Sequence, residues 1–393
     1  MAVGKWIALT FGPSGTALFG QLMNLYTGFS TIPFDGLGRA AIKEGSLLHQ
    51  NGNETEARTL VSSGYTLLVL ILGFEWLVAL FIAYFTNWFY PFNVDGLLFW
   101  YFLAFGCLAT GYFISSIFLI WKKIKIQAYI VSAMSFGGLL GVLFSYSFDF
   151  GFQQTLLTFL IGQIFLGLMV ILLVRKKAHH VLRFPGWQYA SIKNLLTFTL
   201  TFSLATFITQ IGNYGLTHWA LETMGSSKVG LWMAMNRISD VFNIPILAVA
   251  NTILLPLLSG YATNNEALRN ILRPIFGKSL LGLAPGMVLL FLIYPYLMPV
   301  LFSSKFVTQS NFTFWQLIGD FFKSSSYVVS ILILAQGHTR FYFWLESSSV
   351  FLTLTLSIGL YSLYGFEGMF IAHSIRFVIY WMIIVWKYHK ILI

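Results

Sequence analysis

Residues 314–346, FWQLIGDFFKSSSYVVSILILAQGHTRFYFWLE, decide the architecture. A soluble helix of this length shows a polar face, yet the only charges before Arg340 are Asp320 and Lys323. An apolar run this long reads as a membrane span. Residues three apart share a helical face, so Asp320 and Lys323 are expected to pair with each other. Either charge alone at mid-bilayer costs about 2.5–3.5 kcal/mol. A second helix bundle, a wet cavity or a charged substrate must therefore offset the cost of placing them there.

The same reading extends over the whole chain of 393 residues, which is 57% hydrophobic and only 9% charged. A water-soluble fold is excluded by that balance, and a polytopic membrane protein in contact with the lipid bilayer is expected. The net charge of +10 suggests nucleic acid only until the basic residues are located. They cluster in short connectors between apolar runs, so no nucleic-acid partner is expected. Aromatic residues make up 18% of the chain, a share that suits interfacial belts and a sugar-compatible lumen equally. Cys107 stands alone in an apolar run, and the seven histidines show no ligand spacing, so neither metal nor cofactor is expected. His179 and His180 lie in a basic connector.

Only ten residues precede the FGPSG turn at 11–15, too few to span. They are expected to be the tail of a first helix that begins about 15 residues upstream. Apolar segments follow at 16–48, 60–85, 97–121, 127–146 and 153–174. After a basic connector at 175–193 come 194–220, 230–258, 275–302, 312–336, 341–364 and 366–386. The expected fold is all-α: an N-terminal lobe at 1–174, a cytoplasmic connector at 175–193 and a C-terminal lobe at 194–393, with six helices in each lobe. Trp100, Tyr112, Ser115 and Lys125 fall in one register with Trp315, Tyr327, Ser330 and Arg340, which points to a duplicated six-helix unit. An even number of helices per copy makes that repeat parallel. Seventeen basic residues occupy alternate connectors, whereas the opposite ones hold Lys228 and Lys305, so both termini are expected in the cytoplasm.

Seven ionisable residues fall inside the expected spans: Glu75, Arg237, Asp240, Asp320, Lys323, Glu346 and Arg376. Arg237 and Asp240, in MNRISDVFNIP, repeat the one-turn spacing of Asp320 and Lys323. Each pair either fastens helices internally or presents its cation to an anionic head group while the acid positions it or carries protons. Glu75 has no local partner and is a candidate coupling carboxylate. Glu346 and Arg376 are expected nearer the membrane faces, snorkelling or packing. Pro33, Pro245, Pro256, Pro285, Pro295 and Pro299 interrupt spans as kinks.

With WQLIGDFFK, Tyr327, RFYFWLE, GLWMAMNRISDVF and FGPSG in view, the chain resembles the bacterial O-antigen and enterobacterial common antigen translocases, which are lipid-linked oligosaccharide flippases. The resemblance implies the twelve-helix fold of the multidrug and oligosaccharidyl-lipid exporter superfamily, here with a short first helix. It implies a transporter, not an enzyme. The cargo would be an undecaprenyl-diphosphate-linked repeat unit, moved across the bacterial inner membrane by alternating access through a cavity between the lobes, for lipopolysaccharide or related surface polysaccharide. A polymerase and a chain-length regulator of the same pathway would be its partners. Trp315, Gln316, Gly319, Asp320, Lys323, Tyr327, Arg340, Phe341 and Glu346 match the family pattern, as do Trp232, Ser239 and Asp240. A diphosphate joined to sugars needs cations and polar or aromatic groups. Lys323, Arg237 and Lys43 are candidates for the first role, with Lys323 foremost. Gln316, Trp232, Asn236 and Tyr327 are candidates for the second, and Asp320, Asp240, Glu75 and Glu346 are candidates for coupling or charge pairing.

Two alternatives belong to other classes. A cation-coupled drug exporter of the same fold favours an acidic or apolar lumen, which two buried basic residues oppose. A membrane polymerase or acyltransferase needs a catalytic outer loop, and here the outer connectors are short.

Overall fold

The computed structural model describes residues 2–31, 36–85, 97–177, 188–259, 261, 264–306 and 310–392. Pro33 and most of the central connector, with His179, His180 and Arg183, lie outside them. The described residues are almost entirely helical: α1 (Ala2–Thr31), α2 (Arg39–Gln50), α3 (Glu54–Phe85), α4 (Leu97–Ile120), α5 (Ile124–Ser147), α6 (Phe152–Lys177), α7 (Tyr189–Met224), α8 (Ser226–Val249), α9 (Leu255–Ser259), α10 (Asn265–Leu301), α11 (Ser310–Ala335), α12 (Thr339–Tyr364), α13 (Glu367–Lys387) and α14 (His389–Leu392). Among the described residues, eight helices are long and apolar enough to cross a membrane. This is an all-α polytopic membrane protein.

The chain divides into two compact units. One comprises Met1–Val3 and Leu22–Gln210, the other Gly4–Gln21 and Ile211–Ile393. Helices α1 and α7 therefore contribute residues to both.

The FGPSG turn is a break inside α1. Gly12 takes φ 68°, a left-handed value that glycine tolerates, and Pro13 then restarts the helix without needing a hydrogen-bonded N–H. Thr16 Oγ1 donates to the freed Gly12 carbonyl at 3.0 Å. In the second unit the helix after this break meets α8: Ser226 Oγ donates to Ser14 Oγ at 2.8 Å, and a Cβ at Gly230 would lie 1.9 Å from the Pro13 carbonyl oxygen.

Helix α10 runs 37 residues, about 55 Å at 1.5 Å per residue, and keeps Pro274, Pro285, Pro295 and Pro299 inside it. Asn264 caps its start, accepting from the Ala267 N–H at 3.0 Å. Between α8 and α9, within the span expected at 230–258 with kinks at Pro245 and Pro256, Ala250–Leu254 is a π-helical turn. The Leu255 N–H reaches back to the Ala250 carbonyl, five residues away, next to Pro256, which has no N–H to offer.

Two apolar clusters hold the second unit together. One gathers Leu216, Met235, Ile238, Leu290, Tyr294, Met298, Leu317 and Phe370. The other gathers Leu258, Leu272, Val329, Leu332, Tyr380 and Ile384. Leu317 belongs to the first and Val328 to the second, so the intervening part of α11 carries its charges between two apolar layers.

Candidate functional site

Gln316, Asp320, Lys323 and Tyr327 recur at intervals of four, three and four, which lines them along one face of α11. A matching stripe on α8 holds Asn236, Ser239, Asp240 and Asn243, and α13 supplies His373 and Phe377. Small side chains allow these helices to approach. A Cβ at Gly319 would fall 2.2 Å from His373 Cδ2, so only glycine lets α13 come this close. The Ser325 and Ser326 hydroxyls turn back to the Phe321 and Phe322 carbonyls, each at 2.7 Å, leaving no buried donor unpaired on that turn. Ser374 Oγ donates to the Trp315 carbonyl, and Trp315 Nε1 donates to Glu367 at 3.2 Å, which fixes α13 against α11.

The centre of the site is Asp320, 2% exposed. Ser239 Oγ donates to its Oδ2, His373 Nε2 lies 3.0 Å from Oδ1, and Gln316 Nε2 lies 3.4 Å from Oδ1. Gln316 Nε2 is also 2.9 Å from Ser239 Oγ and 3.3 Å from Asn236 Oδ1. Ser324 Oγ donates to Asn243 Oδ1 at 2.7 Å, and Asn243 Nδ2 donates to the Ser239 carbonyl at 2.8 Å. The result is a continuous polar network linking α8, α11 and α13. Such a network defines the relative register of its helices, although Gln316 Oε1 has no hydrogen-bond partner among the described residues.

The expected pairing of Asp320 with Lys323 is corrected by this geometry. Lys323 Nζ instead lies 3.2 Å from Asp240 Oδ1 on α8, and Asp320 turns to His373 on α13. Spacing along a helix places two side chains on one face but leaves them free to choose partners on neighbouring helices. Similarly Arg237 and Asp240 do not form the expected local ion pair: the Arg237 guanidinium carbon lies 5.5 Å from the centroid of the Phe19 ring.

Arg376 sits midway along α13 and, as the packing alternative expects, is held against α12. Its Nε donates to Ser349 Oγ on α12 at 2.7 Å, and its Cζ lies 4.6 Å from the centre of the Phe377 ring. Glu346 on α12 likewise packs against α13, accepting from Tyr380 Oη at 2.7 Å. Tyr327 is within electrostatic range of Lys323, Asp240, Glu346 and Arg376.

The remaining candidates are placed differently. Trp232 is half-buried against apolar residues of α8 and its neighbours. Gln316 is fully buried, with its amide nitrogen committed inside the network. Lys43 is on α2, in the first unit, 3.8 Å from Glu44 and with its side chain 55% exposed. Glu75 is buried in α3 of the same unit, and both its carboxyl oxygens lack a hydrogen-bond partner among the described residues. His373, Asn243, Ser324 and Ser349 were not singled out from the sequence. The signal for them is periodic: each falls three or four residues from a candidate polar group, or faces one across a helix pair, at a position where an apolar residue is the default.

A helical membrane bundle with a polar core between apolar layers is the build of a transporter. Comparison with solved structures gives the fold a name. A multidrug resistance MATE family transporter of the MOP superfamily, in an inward-facing conformation, matches with a TM-score of 0.73 and 15% identity, over 99% of this chain and 94% of that one. The Lipid II flippase MurJ, in an inward closed conformation, matches with a TM-score of 0.71 and 15% identity, over 99% of this chain and 86% of that one. The twelve-helix exporter fold expected from the sequence is therefore the fold of this chain. By sequence it belongs to the Polysaccharide biosynthesis protein family, whose profile matches residues 26–311. The Lipid III flippase of Escherichia coli (strain K12) is 25% identical over 391 residues, 97% of this chain and 91% of that protein.

Proposed function

We propose that the protein is a flippase that carries an undecaprenyl-diphosphate-linked oligosaccharide from the cytoplasmic to the outer leaflet of the bacterial inner membrane, by alternating access, for O-antigen or a related surface polysaccharide. It acts as a transporter and makes or breaks no covalent bond. The observation that carries the reading is the Lys323–Asp240 pair. A cation whose only ion-pair partner among the described residues has a side chain 65% exposed is ready to exchange that partner for another anion. Family membership and the likeness to the Lipid III flippase support a lipid-linked glycan as the cargo. Sugars and diphosphate cannot enter hydrocarbon unpaired, so a path through the protein must supply their partners. Lys323 and Arg237 serve the phosphates in this reading, and Trp232, Asn236 and Tyr327 the sugars.

The test is complementation. In a strain lacking its own flippase and accumulating the lipid-linked intermediate, the protein restores surface glycan, and Lys323→Ala abolishes that rescue at normal membrane levels. Rescue of drug resistance instead, with no effect on glycan, would assign the chain to the drug exporters of the same fold.

A further inference from the structure

Two cations of the second unit share one aromatic ring. Lys323 Nζ lies 5.8 Å and Arg376 Cζ 4.6 Å from the centre of Phe377, so the two charges are at most about 10 Å apart. Their present partners leave donors unused. Lys323 spends one contact on Asp240, whose side chain is 65% exposed. Arg376 gives its Nε to Ser349, and among the described residues no carboxylate oxygen lies within 4.0 Å of its guanidinium. The nearby acids are already occupied: Asp320 by Ser239, Gln316 and His373, and Glu346 by Tyr380. Arginine presents a planar fork that meets a phosphate through two parallel bonds, whereas lysine acts as a point charge.

We propose that Lys323 and Arg376, positioned against Phe377, are a two-cation clamp that takes one phosphate each of a lipid diphosphate. The proposal rests on the flippase reading and adds Arg376 as the residue that selects a diphosphate head group over a monophosphate. A diphosphate diester carries one negative charge on each phosphorus, which matches two cations set apart and bridged by a ring. On binding, the diphosphate displaces Asp240 from Lys323, and Asp240 moves outward on the side where it is already exposed. Ser349 is a positioning residue, since it holds Nε and so turns the remaining guanidinium nitrogens away from α12.

The experiment uses the full chain in lipid nanodiscs, with undecaprenyl diphosphate and undecaprenyl monophosphate as probes and native mass spectrometry as the readout. The wild type is expected to bind the diphosphate more tightly, and Arg376→Gln to lower that affinity about tenfold, the loss of a charged hydrogen bond, while leaving monophosphate binding nearly unchanged. Arg376→Lys keeps the charge without the fork and is expected to fall between; it decides the matter if Arg376→Gln does not fold. Wild-type binding of the diphosphate with no change in either variant overturns the clamp and leaves the flippase reading standing. Equal loss for both probes also overturns it, as the mark of a general positive field. A wild type that binds neither lipid overturns the reading and the clamp together.

Discussion

Gly319→Ala is the sharpest perturbation of the network, because the structure gives its size. The new Cβ would lie 2.2 Å from His373 Cδ2 and 2.8 Å from Nε2, against an ordinary carbon contact of about 3.5–4.0 Å. The imidazole must withdraw by about 1.5 Å to restore that contact. A shift of that size breaks the 3.0 Å contact between His373 and Asp320. Overpacking costs about 1–3 kcal/mol, and the lost bond to a carboxylate about 1.5–3 kcal/mol. The detergent-purified variant should therefore melt several degrees below wild type and lose glycan export. The ring carries most of the clash, although the His373 carbonyl carbon would also stand 3.2 Å from the Cβ. His373→Ala in the same chain should thus recover more than half of the overpacking loss while leaving Asp320 short of a partner. The two substitutions are then strongly non-additive in a thermal double-mutant cycle. Additive effects, or a Gly319→Ala variant as stable and active as wild type, would refute the close approach of α11 and α13.

The corrected ion pair predicts that Asp240→Lys with Lys323→Asp restores more membrane protein and melting temperature than either single variant, whereas swapping Asp320 with Lys323 restores neither; equal behaviour of the two swaps would contradict the cross-helix pairing. Glu75→Gln replaces a buried carboxyl group that has no hydrogen-bond partner among the described residues with an amide of the same shape, so protein level should hold or rise. If Glu75 couples transport, export is nevertheless lost in that variant, and full export with Gln at 75 would end its candidacy. An alkaline phosphatase fused within residues 178–187 should be inactive, and activity there would reverse the topology read from the basic connectors.

The spans were legible because bilayer-length apolar runs and basic connectors leave a signal in any single sequence. The polar stripe on α11 was legible too, since Gln316, Asp320, Lys323 and Tyr327 recur at helical intervals within an apolar segment. Partnership was not. Asp320 and Lys323 share a face whether they pair with each other or with separate helices, and only the packing of α8 and α13 decides between these. The π-helical turn at Ala250–Leu254 escaped for a related reason: Pro256 signals a lost donor but not how the freed carbonyl is accommodated.

His373 shows why such partners are hard to see in advance. A lone histidine in an apolar helix is usually a satisfied packing residue, and nothing local to EGMFIAHSIRF marks it otherwise. Its place becomes intelligible only through Gly319, a residue of low helix propensity set in the middle of a long helix. That glycine weakens α11 locally and offsets the loss by admitting an imidazole against the neighbouring carboxylate. Arg376 lies three residues further along α13, next in the chain to Phe377, and the approach of α11 and α13 brings that same ring to Lys323. The absent methyl group at Gly319 thus positions the histidine and the buried acid, and both should respond together when a methyl is added there.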